Sequence, residues 1–202
     1  MIYELKTELR YKLRIAMASF WDDDDFEVSI NVTPDFDGYN RNVDDDCVVI
    51  DFDLLFTSLN REMEAYFLTC ECGVSEDVGI DAPITSKILN DTIIWDIPIE
   101  DYGDILAKPY SNYSEGILRL IFDKTQYTQA TFQLIRELKL LAKEGIKTAG
   151  LTEQDFTCSY GMADWFLPKL ATKYAHITHL PIKTFNPYDC SSLDFIEKYP
   201  VD

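Results

Sequence analysis

The stretch ILRLIFDKTQYTQATFQLIRELKLL, residues 117–141, decides the fold because its hydrophobic periodicity changes partway along. Its first six residues are almost continuously apolar, which is typical of a strand in the middle of a sheet with both faces covered. After Asp123, apolar residues recur at three- and four-residue spacing, the period of a helix with one buried stripe. Asp123 and Gln126 have the spacing of a capping box, and Gly145 is expected to end the helix. The stretch therefore predicts a strand that leads into a long helix.

Shorter runs with an alternating pattern predict strands elsewhere in the chain. Residues 84–89 and 92–98 have high β-propensity and flank Asn90-Asp91, a dipeptide that tolerates the positive φ of a two-residue hairpin turn. Apolar and polar residues alternate along 11–17 and again along 26–32, as in a strand with one buried face. The sequence therefore predicts one hairpin and two N-terminal strands.

A second helix and an irregular tail complete the predicted fold. Along residues 53–67 apolar side chains recur at helical spacing, and Asp51 or Asp53 is expected to cap this helix. Residues 151–202 contain four prolines that interrupt short aromatic-rich segments, which indicates an irregular covering layer. We expect a single acidic α+β domain over residues 1–202, in which a mostly antiparallel sheet packs against two amphipathic helices and the regular part ends near residue 150.

The composition indicates a folded protein of the cytoplasm. The chain has 202 residues, of which 47% are hydrophobic, enough to build one core. No apolar run approaches the roughly 18 residues that span a bilayer, and the first residues lack the apolar stretch of a signal peptide. The five cysteines are an odd number, and a core of this size needs no disulfides, so reduced thiols are expected. We expect neither a cofactor nor a membrane partner.

Negative charge is concentrated in one segment. The net charge is -18, and between residues 20 and 53 twelve acids stand against one base, Arg41, an excess of 11. Solubility asks only for a net charge of about 2 to 8 in a small domain, so this excess points to a functional surface. Such a surface repels nucleic acid and anionic membranes and attracts basic proteins. The candidate partner-binding residues are acids and two aromatic side chains suited to anchoring: Asp22, Asp23, Asp24, Asp25, Glu27, Asp35, Asp37, Asp44, Asp45, Asp46, Trp21 and Tyr39.

Metal sites and catalysis are weaker interpretations of the same chain. The four aspartates at 22–25 are consecutive and lack the alternating ligands and central glycine of a calcium loop. Cys70, Cys72, His176 and His179 are residue types that bind zinc, but Cys-x-Cys is tighter than the usual knuckle spacing. The chain has no Gly-x-Ser-x-Gly elbow, phosphate loop, dinucleotide fingerprint or His-Glu-x-x-His helix. We therefore expect no enzyme activity and no metal site.

Three short segments resemble a family of uncharacterised bacterial proteins. They are TCECGVSEDVGI (69–80), TIIWDIP (92–98) and FDKTQY (122–127). The family pattern runs Cys-x-Cys-Gly-x-x-x-Cys-x-Gly-Ile, then Val-x-Trp-x-Ile-Pro, then Phe-Asp-x-x-Gln-Tyr at the start of a helix. The resemblance covers about residues 69–141, a third of the chain. At the third cysteine position this chain has Asp77, a departure that favours a structural loop over a metal site.

The chain has a second resemblance, which concerns its size, acidity and mixture of elements and not a sequence motif. Small acidic α+β proteins of this kind are similar to immunity proteins of bacterial toxin systems, including contact-dependent growth inhibition. The resemblance implies an acidic surface that occupies the basic cleft of a toxin domain, often a nuclease, where nucleic acid would otherwise bind. We expect a toxin-neutralising immunity protein that acts through the segment from Asp22 to Asp53. Two alternatives stay open, a phage-type nucleic-acid mimic that blocks a DNA-binding enzyme, and a zinc-dependent enzyme using Cys70, Cys72, His176 and His179.

Overall fold

The computed structural model describes residues 1–19, 26–40, 48–70, 74–143, 147–149 and 178–184. The strands of these residues are β1 (Ile2–Thr7), β2 (Arg10–Ser19), β3 (Phe26–Asp35), β4 (Val49–Ile50), β5 (Met63–Ala65), β6 (Leu68–Thr69), β7 (Ile84–Leu89), β8 (Thr92–Pro98), β9 (Ile117–Asp123), β10 (Lys147–Ala149) and β11 (Thr178–Thr184). The α-helices are α1 (Phe52–Ser58) and α2 (Lys124–Lys143). The described residues therefore form an α+β fold in which sheet predominates.

A five-stranded sheet has the order β1-β9-β8-β7-β5. All its neighbours run antiparallel except β1, which pairs parallel to β9. Strand β9 lies inside this sheet, as its apolar run predicts. The prediction that both its faces are covered is wrong, because Leu118, Leu120 and Phe122 are buried while the residues between them are partly exposed. Buried and partly exposed side chains thus alternate along β9, as in a strand with one buried face, although most of its residues are apolar.

The hairpin β7–β8 forms as the sequence predicts. The two strands pair through five residue pairs, from Thr85↔Asp96 to Leu89↔Thr92, and Asn90-Asp91 forms the turn between them. Asn90 has a φ of 53°, the left-handed conformation that asparagine adopts more readily than most residues. The hairpin brings Trp95 to the centre of the sheet.

A four-stranded sheet has the order β10-β3-β2-β11. Strands β2 and β3 pair antiparallel over their whole length, from Arg10↔Asp35 to Ser19↔Phe26, which confirms and extends the two predicted N-terminal strands. Strands β10 and β11 join its edges in parallel. Five of the eight pairings in the described residues are antiparallel and three are parallel, so the sheets are mixed.

Strand β11 is a regular element within residues 151–202, for which the sequence predicts a covering or irregular segment. It pairs with β2 despite containing Pro181, which has no N–H to donate to a ladder. The register shifts between His179 and Ile182, on either side of this proline. Proline therefore makes the pairing irregular at one point without preventing the strand.

Helix α2 begins where the sequence predicts. The Gln126 N–H donates to the Asp123 carboxylate at 2.8 Å, so Asp123 is the N-cap. The Gln126 side chain bonds elsewhere: its amide oxygen accepts from the Leu9 N–H at 3.0 Å and its amide nitrogen donates to the Leu9 carbonyl at 2.7 Å. Gln126 thus fastens the turn between β1 and β2 to the helix, and Tyr127 starts the buried stripe. Gly145, the predicted helix end, lies outside the described residues.

Helix α1 is much shorter than the predicted helix over 53–67. It ends at Ser58, and the chain continues into strands β5 and β6. The prediction is wrong after Ser58 because residues 63–65, within the predicted helix, form strand β5 and pair with β7 instead. The predicted cap is confirmed for Asp51, whose carboxylate accepts the Leu54 N–H at 3.0 Å.

Trp95 stands at the centre of an aromatic core. Its ring stacks on Phe67 at 4.7 Å between centroids and meets Phe122, Phe36 and Tyr127 edge-on at 5.2, 6.0 and 6.0 Å. All five side chains are fully buried. Edge-to-face and stacked pairs contribute about 0.5–1.5 kcal/mol each beyond the area they bury. The core therefore joins the five-stranded sheet to helix α2 and to the turn that follows β3.

Candidate partner-binding surface

Most of the predicted acidic residues lie outside the described side chains. Trp21 and Asp22 to Asp25 lie outside the described residues, between β2 and β3 in the sequence. Asp44 to Asp46 also fall outside the described residues, and Glu27 is described only as a backbone position in β3. The role of these residues in partner binding stays a prediction.

Asp35 and Asp37 lie at one end of the β2–β3 hairpin. Arg10 bonds both, with its Nη2 at 3.0 Å from the Asp37 carboxylate and its Nε at 3.6 Å from that of Asp35. These two acids of the segment from Asp22 to Asp53 therefore lie at the end of the hairpin where β2 begins and β3 ends, and each forms an ion pair with Arg10.

Two further residues of that segment are occupied by structural roles. Tyr39, predicted as a surface anchor, is only 4% exposed and packs against Phe36 at 5.5 Å between ring centroids. A ring buried to this degree offers little area to a large partner surface, and a role of Tyr39 in partner binding stays a prediction. Asp51 is buried at the start of α1, where it caps the helix.

The structure brings together three acids that the sequence separates. We call Asp81, Glu100 and Asp101 the acid patch. The Asp81 N–H donates to the Asp101 carbonyl at 3.3 Å, which places the turn before β7 against the 3₁₀ turn Ile99–Asp101 after β8. Partial burial, and then the negative charges of Glu100 and Asp81, raise the pKa of Asp101 above its ordinary value. Within the described ranges none of the three carboxylates forms an ion pair.

No feature of the sequence marks the acid patch. Glu100-Asp101 is one acidic dipeptide among several, and Asp81 is nearly twenty residues away. The hairpin β7–β8 returns the chain to its starting end, and only this return places Asp81 beside Asp101. To recognise the acid patch from the sequence, one would have to predict which residues of β7 and β8 pair, and not only that a hairpin forms.

A cavity of about 600 Å³ lies between the turn after β3 and the loop after β8. Two short backbone bonds hold its walls together, from Asn40 to the Ile105 carbonyl at 2.8 Å and from Ala107 to the Gly38 carbonyl at 2.7 Å. Its lining includes two aromatic rings, two carboxylates, an amide and one ammonium: Phe36, Tyr39, Asp37, Asp104, Asn40 and Lys108. The cavity therefore presents charged and polar groups beside two rings that are themselves almost fully buried.

Three tyrosines cluster next to this cavity. Tyr3 stacks on Tyr113 at 4.5 Å with an angle of 6° between the rings, and Tyr110 meets both edge-on. All three are half-buried and so keep part of each ring in contact with solvent. Tyrosine is among the residues most often found at the centre of protein interfaces. This cluster offers the aromatic contact surface that Tyr39 does not.

The outer face of the five-stranded sheet carries a different acid, Asp96. Arg119 bonds its carboxylate at 2.7 and 3.0 Å and Lys87 at 2.9 Å. Burial by itself raises the pKa of Asp96, but the hydrogen bonds and positive charges of Arg119 and Lys87 outweigh it, so the pKa lies below its ordinary value. Glu4 adds a fourth charge at 3.6 Å from Arg119. The two acids of this network, Asp96 and Glu4, are thus balanced by its two bases, Lys87 and Arg119.

The cysteines differ from the sequence prediction. Cys70 takes part in a disulfide bond, which corrects the expectation of reduced thiols; the other four cysteines lie outside the described residues. Zinc binds thiolates, so a disulfide sulfur at Cys70 weighs against the proposed Cys70, Cys72, His176 and His179 ligand set. Within the described ranges no group of three or more histidine, cysteine, aspartate or glutamate residues is arranged to hold a metal ion.

Comparison with known proteins adds no assignment. No protein-family model matches the chain, and no curated protein or solved structure is significantly similar to it. In the part of the chain that the structure describes, no helix is both long enough and apolar enough to cross a membrane. The candidate site therefore rests on geometry and charge: the acid patch, the cavity and the tyrosine cluster.

Proposed function

We propose that this protein is a cytoplasmic immunity protein that binds and neutralises a cognate basic toxin domain, a nuclease, through its acidic surface. The observation that carries the proposal is the acid patch, whose three carboxylates lie together without a base in the described residues. A protein selected for stability alone has no use for charges that repel one another. A basic partner relieves this repulsion, which favours binding.

The kinetics of such an encounter suit an inhibitor. Opposite electrostatic fields raise association rates towards about 10⁸–10⁹ M⁻¹s⁻¹, against about 10⁵–10⁶ M⁻¹s⁻¹ for neutral surfaces. A net charge of -18 supplies the field at long range. Tight binding also needs buried anchors, and the cluster of Tyr3, Tyr110 and Tyr113 provides partly exposed rings for that role.

The partner is sought in the gene immediately upstream of this one. Co-expression should yield a complex that purifies intact at moderate salt, and cells that express the upstream product should survive only when this protein is present. Separate purification of the two products, together with no protection of the cells, would contradict the proposal.

Two variants then locate the acidic surface. One replaces Asp22 to Asp25 and Asp44 to Asp46 by asparagine; the other neutralises the acid patch by combining Asp81→Asn, Glu100→Gln and Asp101→Asn. We expect each variant to weaken the complex, and the loss should shrink as salt rises because salt screens exposed charges. Unchanged affinity in both variants would remove the acidic surface from the mechanism.

A further inference from the structure

Strand β1 forms one edge of the five-stranded sheet. It pairs with β9 on one side, and no other strand or helix of the described residues runs alongside it. The opposite edge, β5, has only three residues, whereas β1 has six. An edge strand presents a row of backbone N–H and C=O groups that are able to pair with a strand from another chain. The sheet can therefore be extended at β1.

The ladder with β9 determines which backbone groups of β1 are free. The Ile117 N–H donates to the Met1 carbonyl at 2.8 Å, and Ile2 pairs with Ile117. In a parallel ladder, alternate residues direct both backbone groups to the same neighbour, so the odd-numbered residues of β1 bond β9. The N–H and C=O groups of Ile2, Glu4 and Lys6 point away from the sheet, and no group in the described residues forms a hydrogen bond with them.

The side chains of β1 alternate between two surroundings. Ile2, Glu4 and Lys6 are exposed on the outer face of the sheet, and Lys6 forms no ion pair in the part of the chain that the structure describes. Leu5 lies on the core-facing side and packs against the core, yet it is only half-buried. A further strand beside β1 would cover the exposed part of Leu5 and so extend the hydrophobic core past the present edge.

A second copy of β1 fits this edge in one antiparallel register. Residues that exchange both backbone bonds lie directly opposite each other, so even-numbered residues must face even-numbered residues of the second copy. A two-fold axis through Leu5 places Glu4 opposite Lys6 of the second copy, and Lys6 opposite its Glu4. Axes through Glu4 or through Lys6 would oppose two carboxylates or two ammonium groups, and like charges directly opposite destabilise a sheet. The charges of β1 therefore select the register centred on Leu5.

We infer that two copies of this chain associate through β1, antiparallel about a two-fold axis at Leu5, and so join their two five-stranded sheets into one. Such an interface is isologous, with each patch contacting its own copy. Charged residues on an edge strand commonly prevent pairing. Glu4 and Lys6 prevent it in the neighbouring two-fold registers and favour it in this one. The inference does not rest on the proposed function.

Two properties of the chain limit the strength of this association. The net charge of -18 makes two copies repel each other, although salt screens charges more than about 8 Å apart at physiological ionic strength. Residues 1–14 are locally basic, with four bases against two acids, so the repulsion is weakest near this edge. An interface one strand wide is also small. We therefore expect a dissociation constant on the order of 10–100 µM.

Sedimentation velocity and amide hydrogen exchange on the full chain test the inference together, at about 0.3 M salt. Mass action should convert monomer into dimer between about 5 µM and about 500 µM protein. Over that range the amides of Glu4 and Lys6 should become protected, whereas those of Tyr3 and Leu5, bonded to β9, should be protected throughout. A chain that stays monomeric, or a dimer in which the Glu4 and Lys6 amides still exchange rapidly, would overturn the inference.

A charge exchange tests the register. Lys6→Glu alone and Glu4→Lys alone each place like charges opposite each other, so each variant should dimerise at least about tenfold more weakly than wild type. An equimolar mixture pairs opposite charges again and should recover wild-type affinity within about threefold. The two changes cancel in net charge, so overall repulsion does not explain that recovery. Failure of the mixture to associate, with both variants folded by circular dichroism, would contradict the register.

Lys108→Glu is the matched control for Lys6→Glu. It makes the same change of charge at an exposed position of the loop after β8 and should leave the dissociation constant within about twofold of the wild-type value. Equal weakening by Lys6→Glu and Lys108→Glu would show that net charge, and not the β1 edge, governs association. Protection of the Glu4 and Lys6 amides that requires another protein, in a chain that is monomeric at every concentration, would assign the edge to that protein and overturn self-association.

Discussion

Asp96 and Asp101 are five residues apart in the chain and have opposite electrostatic surroundings. Asp96, on the outer face of the five-stranded sheet, is held by Arg119 and Lys87, and its pKa is lowered. Asp101, in the acid patch, lies beside two further acids, and its pKa is raised. The comparison shows that two acids close in the chain can differ in charge balance, since Asp96 contacts two bases and Asp101 has only acids beside it in the described residues.

The β2–β3 hairpin supports the same distinction. Its described acids, Asp35 and Asp37, are compensated by Arg10, although they belong to the most acidic segment of the sequence. Among the described acids, those of this segment that are paired therefore differ from the acid patch, whose carboxylates form no ion pair in the described residues.

The largest expected effect comes from breaking the Asp96 network. Asp96→Asn removes the charge that Arg119 and Lys87 both contact, at a position only 8% exposed. Because Arg119 and Lys87 keep partial access to water, the loss should be about 2–3 kcal/mol of unfolding free energy, below that of a fully buried pair. Urea denaturation at pH 7 measures it. The control Asp91→Asn should stay within about 0.5 kcal/mol of wild type, and equal losses would show that the network is not stabilising.

Acid pH should reproduce this loss in the wild-type protein. The pKa of Asp96 is lower in the folded than in the unfolded state, so its stabilisation is present above the ordinary aspartate pKa of about 4 and is lost as pH falls through the lower folded value. The difference in unfolding free energy between wild type and Asp96→Asn should therefore shrink below about pH 4. A difference that stays constant from pH 7 to pH 2 would contradict this assignment.

The smallest effect is expected at Asp101 and has the opposite sign. Its raised pKa means that protonation favours the folded state, a contribution present below the ordinary pKa and lost as pH rises through the folded value. At pH 7, Asp101→Asn should therefore stabilise the protein by a few tenths of a kcal/mol, as expected of a surface site. The gain should vanish near pH 3, where both side chains are neutral. Destabilisation at pH 7 would mean that a partner for Asp101 exists in the folded state.

Local patterns predict much of the fold. The turn at Asn90-Asp91, the cap at Asp123 and the cap at Asp51 depend on a few neighbouring residues, and all three form. The helix predicted over 53–67 fails beyond Ser58 because residues 63–65 pair with a distant strand instead. In this segment, strand pairing with distant residues overrides the local helix propensity.

The site is less predictable than the fold for the same reason. The acid patch depends on the return of a hairpin, and the cavity on backbone bonds between Asn40 and Ile105 and between Ala107 and Gly38. Such contacts join residues far apart in the chain, and no single window of sequence contains both partners. Tyr39 is suited to anchoring by residue type, but the structure uses it in the core and leaves Tyr3, Tyr110 and Tyr113 partly exposed.

The association rate of this protein with the proposed basic partner, the product of the upstream gene, measured at low ionic strength, tests the central claim most directly. Two double variants change the net charge equally: Asp81→Asn with Asp101→Asn in the acid patch, and Glu62→Gln with Asp91→Asn at exposed positions elsewhere. If unbalanced charge marks the partner surface, the first variant slows association by about threefold to tenfold and the second by less than about twofold. Equal slowing by both would show that total charge, and not the acid patch, governs binding.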